Sequence, residues 1–331
     1  MPRRIIFPEK GRVALENFEL PEPGPVEIRV KTFYSLMSIG TESIILNQRY
    51  DPDTHFAQMF SFPQLQTGVQ SVAVIEATGS EVSGFEPGDR IYMRMAHRSH
   101  HVLPADECSL IPENLDSKSA CWATLAKTAF RACWAAPFGA DQDILIIGAG
   151  AVGQMCIRWA ALKSARSITV VDLSEFRLKH ALDGGATQVL LGDIADMLGE
   201  VGRINDGKGP SIVVDVTGNA AVFKSALAAA AQFGKVMLLG DTGFPSRQCL
   251  SSDVMTKGLT IQATHESHDL DGWTQRRVDA HFFELLEQGQ FDVSGLMTHE
   301  FSPTQCEQAY ALANQQGEDV MGVLFNWQKD G

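Results

Sequence analysis

Ile144-Leu145-Ile146-Ile147-Gly148-Ala149-Gly150-Ala151-Val152-Gly153 is the stretch on which the fold turns. Its first four residues are apolar without alternation, the pattern of a parallel strand covered on both faces. The run passes directly into Gly-x-Gly-x-x-Gly. Beyond it, Val152, Met155, Cys156, Trp159 and Ala160 recur at helical spacing and predict an amphipathic helix. Strand, glycine loop and helix in this order form a dinucleotide fingerprint. Gly148 makes the tight turn, Gly150 lets the backbone approach a pyrophosphate, and Gly153 permits close helix–strand packing. The helix start at Ala151 and Val152 offers free N–H groups and the positive dipole end to phosphate.

The next apolar run, Ile168-Thr169-Val170-Val171, ends in Asp172, close to the spacing of about 20 residues expected after the glycine loop. A carboxylate there accepts hydrogen bonds from the adenosine ribose hydroxyls and repels a 2′-phosphate. The expected cofactor is therefore NAD(H) rather than NADP(H). Arg177 pulls the other way, since a nearby arginine accommodates that phosphate.

Working outward, apolar runs at Val189–Leu191, Ile212–Val214 and Val236–Leu239 alternate with helical stretches at Phe176–Leu182 and Ala221–Ala231. This alternation predicts a doubly wound parallel sheet, an α/β Rossmann domain. The part before Leu110 differs. Short β-like runs (Val26–Val30, Val72–Thr78, Arg90–Met93) are punctuated by Pro and Gly, the look of a small, strongly bent, β-rich sheet or partial barrel. Leu115–Ala136 is Ala-rich and helical in period, and a last strand is expected at Gly322–Phe325. At 331 residues the chain suits about two domains.

Composition excludes several partners. A formal charge of −13 without a Lys/Arg run argues against nucleic acid, which needs clustered cations. No apolar stretch reaches the roughly 20 residues of a membrane span. The six cysteines are scattered without a Cys-x-x-Cys pair, as in a reduced cytoplasmic protein. A small-molecule substrate remains.

Several further stretches resemble the medium-chain dehydrogenase/reductase superfamily along essentially the whole chain. Gly84-Phe85-Glu86-Pro87-Gly88-Asp89-Arg90-Ile91, Leu110-Ile111-Pro112-Glu113-Asn114-Leu115, Asp215-Val216-Thr217-Gly218, Leu239-Gly240 and Leu296-Met297-Thr298-His299 carry the likeness. The resemblance implies a GroES-like domain over 1–125 and 266–331, a dinucleotide-binding domain over 126–265, and a homodimer or homotetramer. It further places Thr128, Thr217, Gly218 and Gly240 with Gly148, Gly150, Ala151, Val152, Gly153, Asp172 and Arg177 around the cofactor.

The departures from that pattern bear on chemistry. Zinc-dependent members have Cys-Gly-Thr-Asp and Gly-His-Glu; this chain has Ile39-Gly40-Thr41-Glu42 and Gly68-Val69-Gln70, and the third ligand position falls on Thr124. Ile, Val and Thr supply no thiolate, imidazole or carboxylate, so no metal is expected. A rearranged site using His97, His100 and His101 is the alternative. The two variant motifs also resemble a zinc-less branch that includes bacteriochlorophyllide dehydrogenases. Without a Lewis acid, a protein group must carry the substrate's proton. Thr41, matching the family's relay hydroxyl, His97 at the expected lip of the substrate cleft, and His265 where the resemblance places the nicotinamide carboxamide are the candidates. The expected activity is zinc-independent hydride transfer between NAD(H) and an alcohol or carbonyl. The alternatives are an NAD(P)H-dependent quinone or enoyl reductase and a non-catalytic NAD(H)-binding redox sensor.

Overall fold

The computed structural model describes residues 1–269, 271–315 and 317–329. In chain order the strands are β1 (Arg3–Glu9), β2 (Arg12–Asn17), β3 (Glu27–Leu36), β4 (Ser71–Thr78), β5 (Arg90–Met93), β6 (His100–Pro104), β7 (Cys108–Leu110), β8 (Asp143–Ile147), β9 (Ser167–Asp172), β10 (Gln188–Leu191), β11 (Ile212–Asp215), β12 (Lys235–Leu238), β13 (Thr260–Ala263), β14 (Met297–Phe301) and β15 (Gly322–Asn326). They fall into two compact units. One holds Met1–Arg49, Gln58–Thr124 and Trp273–Gly331; the other holds Tyr50–Ala57 and Leu125–Gly272.

The first unit is built on a mixed sheet in the order β14-β15-β3-β4-β5-β7, with β6 also paired to β3, beside the β1–β2 hairpin. Its core follows from period-two alternation. Ile28 and Val30 on β3, Ala73 and Ile75 on β4, and Ile91 and Met93 on β5 point to one buried face. The second unit is a six-stranded parallel sheet in the order β10-β9-β8-β11-β12-β13. Strand order reverses between β8 and β11, which makes the crevice at their carboxyl ends the place for a ligand. β8, β11 and β12 carry continuous apolar runs because helices cover them: Leu145, Val213 and Val236 pack against residues of the helices Ile194–Ile204 and Ala220–Ala229. A Rossmann sheet with a separate β-rich domain is thus the architecture.

Two segments group differently from the sequence expectation, and in both cases specific bonds explain why. Residues 266–272 stay with the parallel sheet's unit. Asp269 pairs with Arg131 at 2.9 Å, and Asp271 accepts from the Trp134 indole at 2.9 Å. Residues 50–57 also belong there. The Asp51 amide donates to the Gly243 carbonyl at 2.6 Å, and its carboxylate accepts from the Ser246 amide at 3.1 Å.

Candidate active site

The glycine loop has the geometry its sequence demands. Gly148 adopts φ +99°, where a side chain would be strained, and a Cβ there would crowd Thr217 Cγ2 at 3.0 Å. At Gly153 a Cβ would overlap the Gly148 carbonyl, so the helix Ala151–Leu162 starts pressed against the turn. At Gly150 a Cβ would meet no described atom within 4 Å. That position faces open space while its two neighbours are tight, as a backbone cradle for a pyrophosphate requires.

Asp172 ends β9 within reach of this loop. Its Oδ2 accepts from the Ala149 amide at 2.6 Å and its Oδ1 from the Ser174 amide at 2.9 Å. Arg177 Nη1 stands 4.0 Å from Oδ1. Two residues the sequence reading passed over hold the loop from behind. Buried Gln154 donates to the carbonyls of Ala149 and Arg177, both at 2.9 Å, and buried Arg158 donates to the Gln154 Oε1 at 2.9 Å. Their signal was two polar residues four apart on an otherwise apolar helix face.

Across the crevice, Asp215 closes β11. Its Oδ1 accepts from the Thr217 amide and hydroxyl at 2.8 and 2.7 Å. Its buried Oδ2 has no partner among the described residues, and burial raises the carboxyl's pKa. Gly218 (φ +64°) and Gly240 lie back to back. A Cβ on Gly218 would crowd the Gly240 carbonyl at 3.1 Å, so these turns pack backbone against backbone. Thr128 sits half-buried on the helix Ala123–Ala135.

The carboxyl ends of β12 and β13 carry imidazoles. His265 is exposed, with Nδ1 against Ser267 Oγ at 2.7 Å. Desolvation of the face turned to its neighbours lowers its pKa, with Glu266 and Asp241 opposing. Its ring lies 6.3 Å from that of His55 and 6.0 Å from that of His268. His55 Nε2 in turn meets Asp241 Oδ2 at 3.0 Å. The sequence reading did not single out this pair. Nothing in the local sequence around His55 points to a residue that lies so far along the chain.

His97 departs from the expected place at a cleft lip: it is fully buried. Nδ1 meets Ser35 Oγ at 2.7 Å and Nε2 meets Glu42 Oε2 at 3.2 Å. Glu42 also accepts from the Thr67 hydroxyl at 2.9 Å, the Ser38 amide at 2.7 Å and the Tyr310 hydroxyl. Trp327 Nε1 donates to Ser35 Oγ at 2.9 Å. Both ring nitrogens are engaged inside the first unit, so His97 reads as part of that unit's polar core. Burial by itself would raise the Glu42 pKa; the His97, Tyr310 and Ser38 donors outweigh it and hold the carboxyl below 4.5. Thr41, one residue earlier on the helix Ile39–Leu46, is half-buried.

Ile39, Val69 and Thr124 are the positions that the family resemblance matches to metal ligands. Thr124 donates its hydroxyl to the Val69 carbonyl at 3.0 Å and touches the Tyr92 hydroxyl. Gln70 is buried, with neither amide atom partnered among the described residues. His101, a candidate for a rearranged metal site, is buried with neither ring nitrogen hydrogen-bonded among the described residues, and burial pushes its pKa down to about 3. Among the described residues no group of three or more His, Cys, Asp or Glu is placed to hold a metal ion, and no helix is long and apolar enough to cross a membrane.

With this geometry in hand, likeness to known proteins can be read. The zinc-binding dehydrogenase family profile matches residues 151–287. A sorbitol dehydrogenase of Arabidopsis thaliana is 26% identical over 94% of this chain and 92% of its own length. The fold matches a Sinorhizobium meliloti 1021 protein assigned as a zinc-binding dehydrogenase and solved with NADP (TM-score 0.83, 17% identity, 98% of this chain and 99% of that one). It also matches an Escherichia coli CFT073 alcohol dehydrogenase complexed with NADH (TM-score 0.82, 18% identity, 98% and 99%). Residues 151–287 thus match the zinc-binding dehydrogenase family, and the chain is an NAD(P)-dependent dehydrogenase similar along its length to zinc-type alcohol dehydrogenases.

Proposed function

We propose that this protein is an NAD(H)-linked, zinc-independent dehydrogenase that interconverts an alcohol and a carbonyl. The observation that carries the reading is the cradle itself: open space at Gly150, tight packing at Gly148 and Gly153, and the Asp172 carboxylate bonded to the loop's own Ala149 amide. Structures of this fold hold NADP in one case and NADH in another, so the choice rests on residues of this chain. A carboxylate bonded to two backbone amides is fixed where a ribose diol would meet it, and it disfavours a second phosphate there. Arg177, 4.0 Å away, is the counterweight.

When bound, the nicotinamide accepts or returns the hydride. The residues that would hold the dinucleotide are Gly148, Gly150, Ala151, Val152 and Gly153 for the pyrophosphate and Asp172 for the adenosine ribose. Thr217, Gly218, Gly240 and Thr128 would hold the nicotinamide half. Zinc does not fit the residues present. Ile39 and Val69 offer no donor side chain, and the Thr124 hydroxyl is spent on the Val69 carbonyl. The substrate oxygen must then be met by protein donors. In this reading an imidazole at the β12 and β13 ends, where His265 stands, handles the proton. The polyol substrate of the Arabidopsis relative agrees with an alcohol substrate. Following the family resemblance, the assembly is a homodimer or homotetramer.

The test is paired titration of NADH and NADPH, followed by nicotinamide fluorescence. NADH is expected to bind more tightly. In Asp172→Ala, NADH binding weakens about tenfold or more and the preference shrinks, as expected for losing hydrogen bonds to a charged acceptor. Equal or tighter NADPH binding by the wild type overturns the cofactor assignment.

A further inference from the structure

We infer that His55 and Asp241 form a carboxylate–imidazole dyad at the nicotinamide end of the site, with His55 as the proton acceptor in alcohol oxidation and Asp241 as its positioning residue. The inference rests on the dinucleotide reading above and names the group that handles the proton.

Placement comes first. Asp172 fixes the adenosine end on the β9 side of the glycine loop. A dinucleotide whose pyrophosphate lies on that loop must extend its other half in the opposite direction, over the carboxyl ends of β11, β12 and β13. Asp241 follows β12 by three residues and His265 follows β13 by two. β12 is two strands from β8, about 10 Å at ordinary strand spacing. His55 arrives there by chain geometry. Asp51 is tied to Gly243 and Ser246 by its amide and carboxylate, and the Thr54 hydroxyl donates to the Asp51 carbonyl at 2.7 Å. Phe56 is buried, stacks on Tyr50 at 5.8 Å, and lies 4.2 Å from the His55 ring. The imidazole is thus held between an anchored turn before it and a buried ring after it.

Chemistry comes second. Asp241 Oδ2 accepts from His55 Nε2 at 3.0 Å. That bond selects the tautomer with the proton on Nε2 and leaves the Nδ1 lone pair as the base. Oxidation then balances simply. The substrate O–H bond breaks and its proton goes to Nδ1. The electron pair left on oxygen forms the second C=O bond as the carbinol C–H pair departs, as hydride, to NAD⁺. The imidazolium so formed is held by the Asp241 carboxylate and returns its proton to solvent. His265 is less suited to accept the proton, since its Nδ1 is engaged with Ser267. The titratable and charged groups around the pair are His265, with Glu266 and His268 behind it, and Arg247 beside Asp51.

The dyad predicts a substrate-independent signature. Oxidised nicotinamide is cationic and reduced nicotinamide is neutral, so a protonated His55 opposes NAD⁺ but not NADH. The full-length protein is titrated with NAD⁺ and with NADH between pH 5.5 and 9. The NAD⁺/NADH affinity ratio is expected to rise with pH by about threefold under water-like screening, and more in a drier site. In His55→Gln the ratio is flat. In Asp241→Asn the pH profile of the ratio departs from that of the wild type, because the carboxylate that accepts from Nε2 is gone. Far-UV circular dichroism and the thermal midpoint of each variant check that it is folded. Should both cofactors bind while His55→Gln keeps the wild-type profile, the dyad is overturned and the cofactor reading stands. Should neither bind, the cofactor reading falls and takes the dyad with it.

Discussion

At the residue scale, a residue's place along its element was easier to read from sequence than its burial. Asp172 could be placed at the end of β9, beside the glycine loop, from spacing alone, because the distance from glycine loop to acidic residue is fixed by one strand–helix–strand unit. His97 could not. Its partners Ser35, Glu42, Tyr310 and Trp327 come from remote parts of the chain, and no local pattern announces that they converge. The network they form has a pH consequence. Glu42 has a folded pKa below 4.5, so its ionised form contributes stability that is fully present above that value. The contribution is lost as pH falls through the folded pKa. The urea midpoint of the wild type is therefore expected to drop on acidification below about pH 4.5. Glu42→Gln should cost about 3 kcal/mol at neutral pH, since it strips the charge from a buried pair, and should show a shallower acid dependence. A variant as stable as the wild type at pH 7 would show that Glu42 is replaceable.

The glycine loop belongs to the element scale, where strand, turn and helix act as one piece. Here two substitutions of the same kind should part company. Gly153→Ala drives a methyl into the Gly148 carbonyl; it should lower the thermal midpoint and abolish NADH binding together. Gly150→Ala places a methyl in open space; the midpoint should stay near wild type while NADH binding is lost, because the methyl occupies the approach to the phosphates. Differential scanning fluorimetry with and without NADH separates the cases. Elements with continuous apolar runs, β8, β9, β11 and β12, were legible in sequence because helices cover both faces. β13 was not. It is the last strand of the sheet, paired on one side only, and Thr260 and Ala263 at its ends are exposed, so it carries no buried-strand pattern. The helix His55–Met59 was also hidden, because five residues are too few for a helical period to show.

Across the whole molecule, both sheets could be anticipated, but the excursion of residues 50–57 into the parallel sheet's unit could not. Periodicity reports what each stretch buries, not which sheet it buries it against. The metal question is also decided at this scale, by the protein's total content. Elemental analysis of purified protein is expected to give well under one zinc per chain, and exhaustive dialysis against a chelator should leave the thermal midpoint and NADH affinity unchanged. About one firmly held zinc per chain would revive a rearranged site.

Residues 50–57, grouped with the parallel sheet although the chain on either side of them belongs to the other unit, bear on how such proteins can be recombined. A hybrid made by exchanging residues 125–272 between two relatives cuts at two seams and still separates Asp241 from the histidine it pairs with. The incoming carboxylate meets whatever the recipient carries at position 55. Swapping a cofactor domain in this lineage is therefore a four-seam graft, in which a short upstream peptide has to travel with the body it serves.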